Sequence, residues 1–192
     1  MRHLSLLALL VLALPCFAQI PSATLKSAEL WFDATASLGP FRGITKTARG
    51  ALTGAPTLSA VKGFVEMDAK TLTTNNSLRD HDMRNTLDVE KYPAIRFDLD
   101  SVTVIAEGGD STRIELVGRM SIHGVTRPLR IPAVLHRTHN ELRVTGTYPL
   151  VLPNYGVTKL KRMLGTLSMN ELIHVGIDVT FTANTAGTEK MQ

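Results

Sequence analysis

The chain has a single cysteine, Cys16, and it lies in the apolar N-terminal stretch. A leader removed after Ala18 would take it away, leaving no disulfide framework, thiol nucleophile or thiolate metal site in what remains. Other signatures are missing too. There is no Gly-x-Ser-x-Gly elbow for a hydrolytic serine and no glycine-rich phosphate loop. The 21 Lys and Arg exceed the 17 Asp and Glu by four, but they are interspersed with acids rather than gathered on one face. That pattern argues against a nucleic-acid partner, which needs a concentrated basic surface, and leaves weak, transient attraction to anionic membrane surfaces open. The chain shows no internal repeat, low-complexity tract or interdomain linker, so one domain is expected over residues 19–192 with its core in 28–182. Its last residues, from Asn184, are small and polar and read as a loose tail.

What is present begins with MRHLSLLALLVLALPCFAQ. Arg2 supplies the positive start. Leu4 to Leu14 is apolar apart from Ser5, Pro15 breaks the helix, and Cys16-Phe17-Ala18 offers small residues around a cleavage point. This is the pattern of a secretory signal peptide over residues 1–18, too short for a comfortable membrane span. The expectation is an exported protein, periplasmic or secreted. A lipid-bearing Cys16 is disfavoured by the hindered Pro15 before it.

Beyond the leader, strict alternation dominates. Leu30, Phe32 and Ala34 alternate with Trp31, Asp33 and Thr35. Ile114, Leu116, Gly118, Met120 and Ile122 share a face; so do Leu129, Ile131, Ala133 and Leu135, and Leu142, Val144, Gly146 and Tyr148. The strongest run is Ile173, Val175, Ile177, Val179 and Phe181. Stretches 43–53, 58–69 and 94–104 are also strand-like. Turn signals at Gly39-Pro40, Gly108-Gly109-Asp110, His123-Gly124 and Thr138-His139-Asn140 separate the runs. The expected fold is all-β: an antiparallel barrel of about eight strands, with one or two short helices. Such a barrel either fills with its own side chains or holds one small ligand. The small inward residues Gly118, Ala133 and Gly146 favour room inside.

One segment departs from strand. SLRDHDMRNTLDVEKYPAIRF packs charges of both signs between Ser77 and Lys91. Ser77 is a candidate cap for a helix starting at Leu78, Asp80 falls in its first turn, and Asp80 and Arg84 are spaced to pair across one turn. Met83 and Leu87 share the side that would dock on the barrel. Asp88 is a candidate cap for a further turn, and Tyr92-Pro93 ends the helix. The segment reads as a helical cap over one barrel end, its charges either solvated or facing the polar end of a ligand. A second helix is expected over Lys159 to Leu164.

This segment resembles the YceI-like family of lipid/polyisoprenoid-binding domains. Arg79-Asp80-His81-Asp82-Met83-Arg84 parallels an Arg-Asp-x-His-Leu-Arg pattern and leads into Tyr92-Pro93-Ala94-Ile95-Arg96-Phe97. Gly118-Arg119-Met120-Ser121-Ile122-His123-Gly124-Val125-Thr126-Arg127-Pro128 and Asn154-Tyr155-Gly156-Val157 supply two more motifs in order. The resemblance runs from about Ala28 to Phe181. It implies a lipocalin-like barrel with an apolar pore, an isoprenoid, quinone or other lipid as ligand with no further cofactor, a periplasmic setting and the option of a homodimer. The family histidine of the first motif falls at Asp82 here, while His81 takes the variable position.

The candidate ligand contacts follow. Phe32, Phe64 and Phe97, with Leu116, Ile131, Val144, Ile177 and Val179, would line the interior whether or not it is occupied. Arg79, His81 and Arg84 stand where a quinone oxygen or phosphate would meet the mouth, Met83 on the docking side of the helix, and Tyr155 in the third motif. His136 and His139 bracket a turn without further metal ligands in sight. Three readings stand: a carrier that catalyses nothing, a lipid-modifying enzyme using His81 with Asp80 or Asp82, and an accessory protein of a membrane redox or stress system whose barrel is filled.

Overall fold

The computed structural model describes residues 19–158, 161–162 and 167–184; the stretch 1–18 read as a leader, with Cys16, and the tail beyond Asn184 lie outside these. The alternating runs become β1 (Ala23–Ala36), β2 (Gly39–Thr45), β3 (Arg49–Thr53), β4 (Lys62–Asp68), β5 (Ala94–Gly108), β6 (Ser111–Ile122), β7 (Val125–Arg137), β8 (Glu141–Val151) and β11 (Leu172–Ala183), with two-residue strands β9 (Lys161–Arg162) and β10 (Leu167–Ser168) between β8 and β11. The sheet runs β11-β8-β7-β6-β5-β4-β3-β1-β2, and β1 also pairs with β11. All pairings are antiparallel, so the sheet closes into an eight-strand barrel. β2 and β3 share one edge of β1: β3 takes its first residues, Ala23 and Thr24, and β2 its last, Leu30 to Ala36.

Inward residues alternate with outward ones, as half-buried strands require. The inner faces of β6, β7, β8 and β11 contribute Ile114, Leu116, Ile131, Leu135, Val144 and Val179 to one buried cluster. Two strands change parity midway. A bulge between Leu25 and Ser27 passes the inward set from Leu25 to Ala28 and Leu30, and one between Leu99 and Ser101 passes it from Leu99 to Val102. An extra residue in one strand turns every later side chain to the other face. The His123-Gly124 turn has positive φ at both residues, 51° and 76°. That is the primed two-residue turn whose twist suits a hairpin.

The helix expected at Leu78 is α1 (Ser77–Leu87), capped one residue earlier than the sequence suggests: the Asn76 side chain accepts from the Arg79 N–H at 3.0 Å. A further turn does follow: the Asp88 carbonyl accepts from the Lys91 N–H at 3.0 Å and the Tyr92 N–H at 2.8 Å. Asp88 also closes α1 in the left-handed conformation, φ 47°, and its N–H reaches back to the last turn. Of the second expected helix, the described residues Lys161 and Arg162 form β9 instead, paired with β10; the rest of Lys159 to Leu164 lies outside the described residues.

Candidate functional site

The barrel encloses a cavity of about 500 Å³, within the roughly 300–1,000 Å³ range of small-molecule pockets. It runs most of the length of the barrel. At one end its wall is Leu52, Leu58, Val61 and Leu142; along the middle Phe97, Leu116, Ile131, Val144, Ile177 and Val179; higher up Phe32, Met120, Tyr148 and Val175. At the other end it meets α1 and the β1–β2 turn, where Leu38, Phe41, Leu78, Met83 and Leu87 border it.

The first end is shut. The helical turn Leu58–Ala60 crosses it, Val61 behind that turn is 2% exposed, and Ile20 and Ala55 exchange backbone hydrogen bonds of 2.9 Å in each direction. Ile20, Ala55 and Val61 form a separate small core there. The second end is the mouth. Apart from Trp31 and Tyr148, the charged or hydrogen-bonding side chains of the wall gather there: Asn76 at the cap of α1, Arg79, Asp82 and Thr86 within it, and Ser168. The Arg79 guanidinium carbon lies 4.5 Å from the centre of the Phe41 ring, a cation–π contact that ties α1 to β2 across the opening.

What holds α1 over the barrel is Asp80. It does not sit exposed beside Arg84; it is 8% exposed and accepts from the Thr73 hydroxyl at 2.7 Å, the Thr74 N–H at 2.7 Å and the Thr74 hydroxyl at 2.6 Å. Burial pushes its carboxyl pKa up, but the Thr74 and Thr73 hydrogen bonds and the charge of Arg84 outweigh that and hold it below the ordinary aspartate value. A carboxylate satisfied by several donors behaves so. Thr73 in turn exchanges backbone hydrogen bonds with Ile44 of β2, at 2.9 and 3.0 Å. The chain from α1 to the barrel wall is therefore polar and continuous.

The room inside does not come from Gly118. A side chain there would strike the Phe97 ring and the Asp98 carbonyl, so Phe97 already fills that space, and Phe32 fills the space over Gly43 in the same way. Gly146 does border the cavity.

Ten of the residues singled out in the sequence border the cavity: Phe32, Phe64, Arg79, Met83, Phe97, Leu116, Ile131, Val144, Ile177 and Val179. For Phe64 the expected interior position is corrected: its side chain stands on the other face of β4 from the core. Its ring lies 4.0 Å from the Arg96 guanidinium, on the face of β4 that carries Glu66, and Val65 packs in the core in its place. Three residues are elsewhere. His81 is exposed on α1, with Nε2 2.9 Å from the Asn85 amide nitrogen, and Arg84 is exposed one turn along. An 11-residue helix lying across an opening can turn only one side to it, and these two are on the other. Tyr155 is buried in the core beneath the mouth, with Ile122, Leu150 and Val157, and burial raises its hydroxyl pKa. Sequence reasoning missed Leu38 and Tyr148 as wall residues. Tyr148 was legible, since it shares the inward face of Val144 and Gly146; Leu38 sits in a turn, where no alternation signals direction.

Among the described residues no group of three His, Cys, Asp or Glu could hold a metal ion, and no helix is long and apolar enough to cross a membrane.

The architecture has relatives. The YceI-like domain family model matches residues 23–184. A polyisoprenoid binding domain from Saccharophagus degradans, implicated in plant cell wall breakdown, superposes with a TM-score of 0.71 at 14% identity, covering 85% of this chain and 99% of its own. Burkholderia cenocepacia BcnA superposes at 0.66 with 12% identity, covering 80% and 95%, and the Campylobacter jejuni YCEI protein at 0.60 with 16% identity, covering 74% and 84%. No curated protein matches the chain.

Proposed function

Because this chain belongs to the YceI-like domain family, we propose that it binds one lipid of the isoprenoid class in the barrel cavity, as a carrier or store rather than a catalyst. The observation that carries this reading is the division of the cavity: an aliphatic and aromatic bore closed at one end, with Asn76, Arg79, Asp82 and Thr86 collected at the other. An amphiphile with a long apolar tail and a small polar end matches that division. Each methylene taken out of water contributes about 0.8 kcal/mol, so a few isoprene units suffice for firm binding, and the mouth selects the polar end. A quinone oxygen or a phosphate would meet Arg79 first. The name of the Saccharophagus relative points to the same ligand class.

The choice of binder over enzyme rests on the groups an enzyme would need. Asp80 is committed to Thr73 and Thr74, and His81 is on the exposed side of α1. Of the groups named for an enzyme only Asp82 borders the cavity; His81 and Asp80 do not.

Extraction of the purified protein with organic solvent, followed by mass spectrometry, tests the reading. About one lipid per chain is expected. An empty extract, together with no uptake of the apolar probe N-phenyl-1-naphthylamine, overturns it in favour of an accessory protein. Export, by a leader over residues 1–18 to a periplasmic or secreted location, is part of the proposal. N-terminal sequencing of protein from cell fractions should find Gln19 first and the protein outside the cytoplasm; an intact Met1 in the cytoplasm would end that part.

A further inference from the structure

Exposed hydrophobic side chains are not spread evenly over this barrel. Leu38, in the β1–β2 turn, is 86% exposed, and Leu78, in the first turn of α1, is 65% exposed. They stand on separate elements, yet both border the cavity, and the contact between Arg79 and Phe41 bridges those elements. Leu172 and Val151, partners across the β8–β11 ladder, add exposed apolar surface at the same end. A leucine in a turn would ordinarily be replaced by a polar residue at no cost to the fold, so leucines on both sides of one opening ask for something to cover them.

We infer that the mouth rim docks on the surface of an anionic phospholipid bilayer, with Leu38 and Leu78 entering its apolar boundary and the cavity opening toward the acyl chains. The inference rests on the lipid-binding reading and adds where the lipid enters. Three observations select a bilayer over a protein. The patch has a hole at its centre, whereas a stable protein interface has a packed core there; fluid hydrocarbon fits against an opening. The two leucines are cavity wall and outer surface at once, so a tail moving between bilayer and bore stays in apolar contact throughout. The rim also carries a cation: Arg79 follows Leu78 on α1, borders the mouth and lies over the Phe41 ring. A basic residue next to an apolar insertion is what an anionic surface attracts. Toward the closed end the turn and chain end are polar, with Thr138, Asn140 and Asn184, and the exposed Val104 and Ile105 of β5 do not border the cavity.

The test uses an environment-sensitive nitrobenzoxadiazole label on Leu38→Cys and, separately, on Ile105→Cys, each in a chain carrying Cys16→Ser. Ile105 is the control because it is also exposed, at 60%, but lies on β5 and does not border the cavity. With vesicles of one part phosphatidylglycerol to three of phosphatidylcholine, the label at 38 should shift to the blue and be quenched by nitroxide lipid, and the label at 105 should do neither. In flotation with the same vesicles, L38D/L78D should lose about tenfold of its bound fraction and Ile105→Asp should match the unmutated protein. A label at 38 that ignores vesicles, equal responses at 38 and 105, or a double variant that floats like the parent overturns the inference. So does a blue shift at 38 that rises with protein concentration in the absence of vesicles, since a second copy then covers the rim. Uptake of N-phenyl-1-naphthylamine by the unmutated protein without vesicles is read separately. Uptake with no response at 38 removes the docking and leaves lipid binding standing; response with no uptake and an empty solvent extract removes lipid binding itself.

Discussion

The two ends of the barrel are closed by different physics. At the shut end Ile20, Ala55 and Val61 bury apolar surface behind the Leu58–Ala60 turn. At the mouth α1 is held by hydrogen bonds from Thr73 and Thr74 to Asp80 and by the Arg79–Phe41 contact, while Leu78 remains in water. Apolar burial is non-directional and scales with area, so the shut end behaves as part of the global fold. A closure built on one carboxylate depends on the protonation of a single group and can fail locally. The end that must admit a ligand is the end with the chemically addressable fastening.

Substitutions can break that contrast, and the largest effect is expected at the shut end. Val61→Asp forces a carboxyl among Ile20, Leu52 and Leu58 and should lower unfolding stability by about 3 kcal/mol or more, read by chemical denaturation. A variant as stable as the parent would mean that the shut end is not a sealed core. Asp80→Ala comes next. It leaves the Thr73 and Thr74 donors without their acceptor and should cost about 1–3 kcal/mol, with faster amide exchange concentrated in α1; uniform exchange across the barrel would contradict a local fastening.

Acid should address the same fastening. The folded-state pKa of Asp80 lies below its ordinary 3.8, so the unfolded chain takes up the proton first as pH falls. The stabilisation is complete above that ordinary value and is lost as pH drops through the lower folded one. Thermal melts should therefore show an acid limb below about pH 4 that is shallower in Asp80→Asn. It will not vanish, because Asp33, Glu66 and Asp178 are shifted in the same direction, chiefly by hydrogen bonds from Arg42, Arg49 and Arg143 respectively. An unchanged limb would remove Asp80 from the account.

Between the two ends, Val144→Trp puts an indole into the bore. Uptake of N-phenyl-1-naphthylamine should fall about tenfold, with a stability change under about 3 kcal/mol; undiminished uptake would place the probe somewhere other than the bore. The smallest effect belongs to the outer surface. Arg119 and Asp100 pair at 3.0 Å with both side chains about half exposed. Arg119→Ala should change stability by about 0.5 kcal/mol or less, and a larger loss would show that the outer ion pairs act as a network.

Much of the fold was legible because antiparallel strands with one wet face announce themselves. Ile173 to Phe181 alternates without a break and is β11, and His123-Gly124 makes the turn its composition suggests. The site was legible along the bore for the same reason: Leu116, Ile131, Val144, Ile177 and Val179 follow from parity alone. The mouth was not. Asp80 carries the same local signal as any acid in a first helical turn; only the return of Thr73 and Thr74 against it makes it buried. That His81 and Arg84 face away from the opening was not legible in α1, because the helix's rotation is set by partners outside it: Thr73 and Thr74 on Asp80, and Phe41 on Arg79.

By itself, then, the order of residues determined the class of the molecule: alternation with period two demands paired strands, and eight such segments with apolar inner faces close on themselves. Only the tertiary structure decided that Phe97 and Phe32 would occupy the space over Gly118 and Gly43, that bulges would hand the inner face from Leu99 to Val102, and that the bore would be shut at Val61 and reach water beside Leu38 and Leu78. The reason is physical. Periodicity is a local property that each strand carries alone, whereas a cavity is the volume left over when every strand's side chains have been packed against the others.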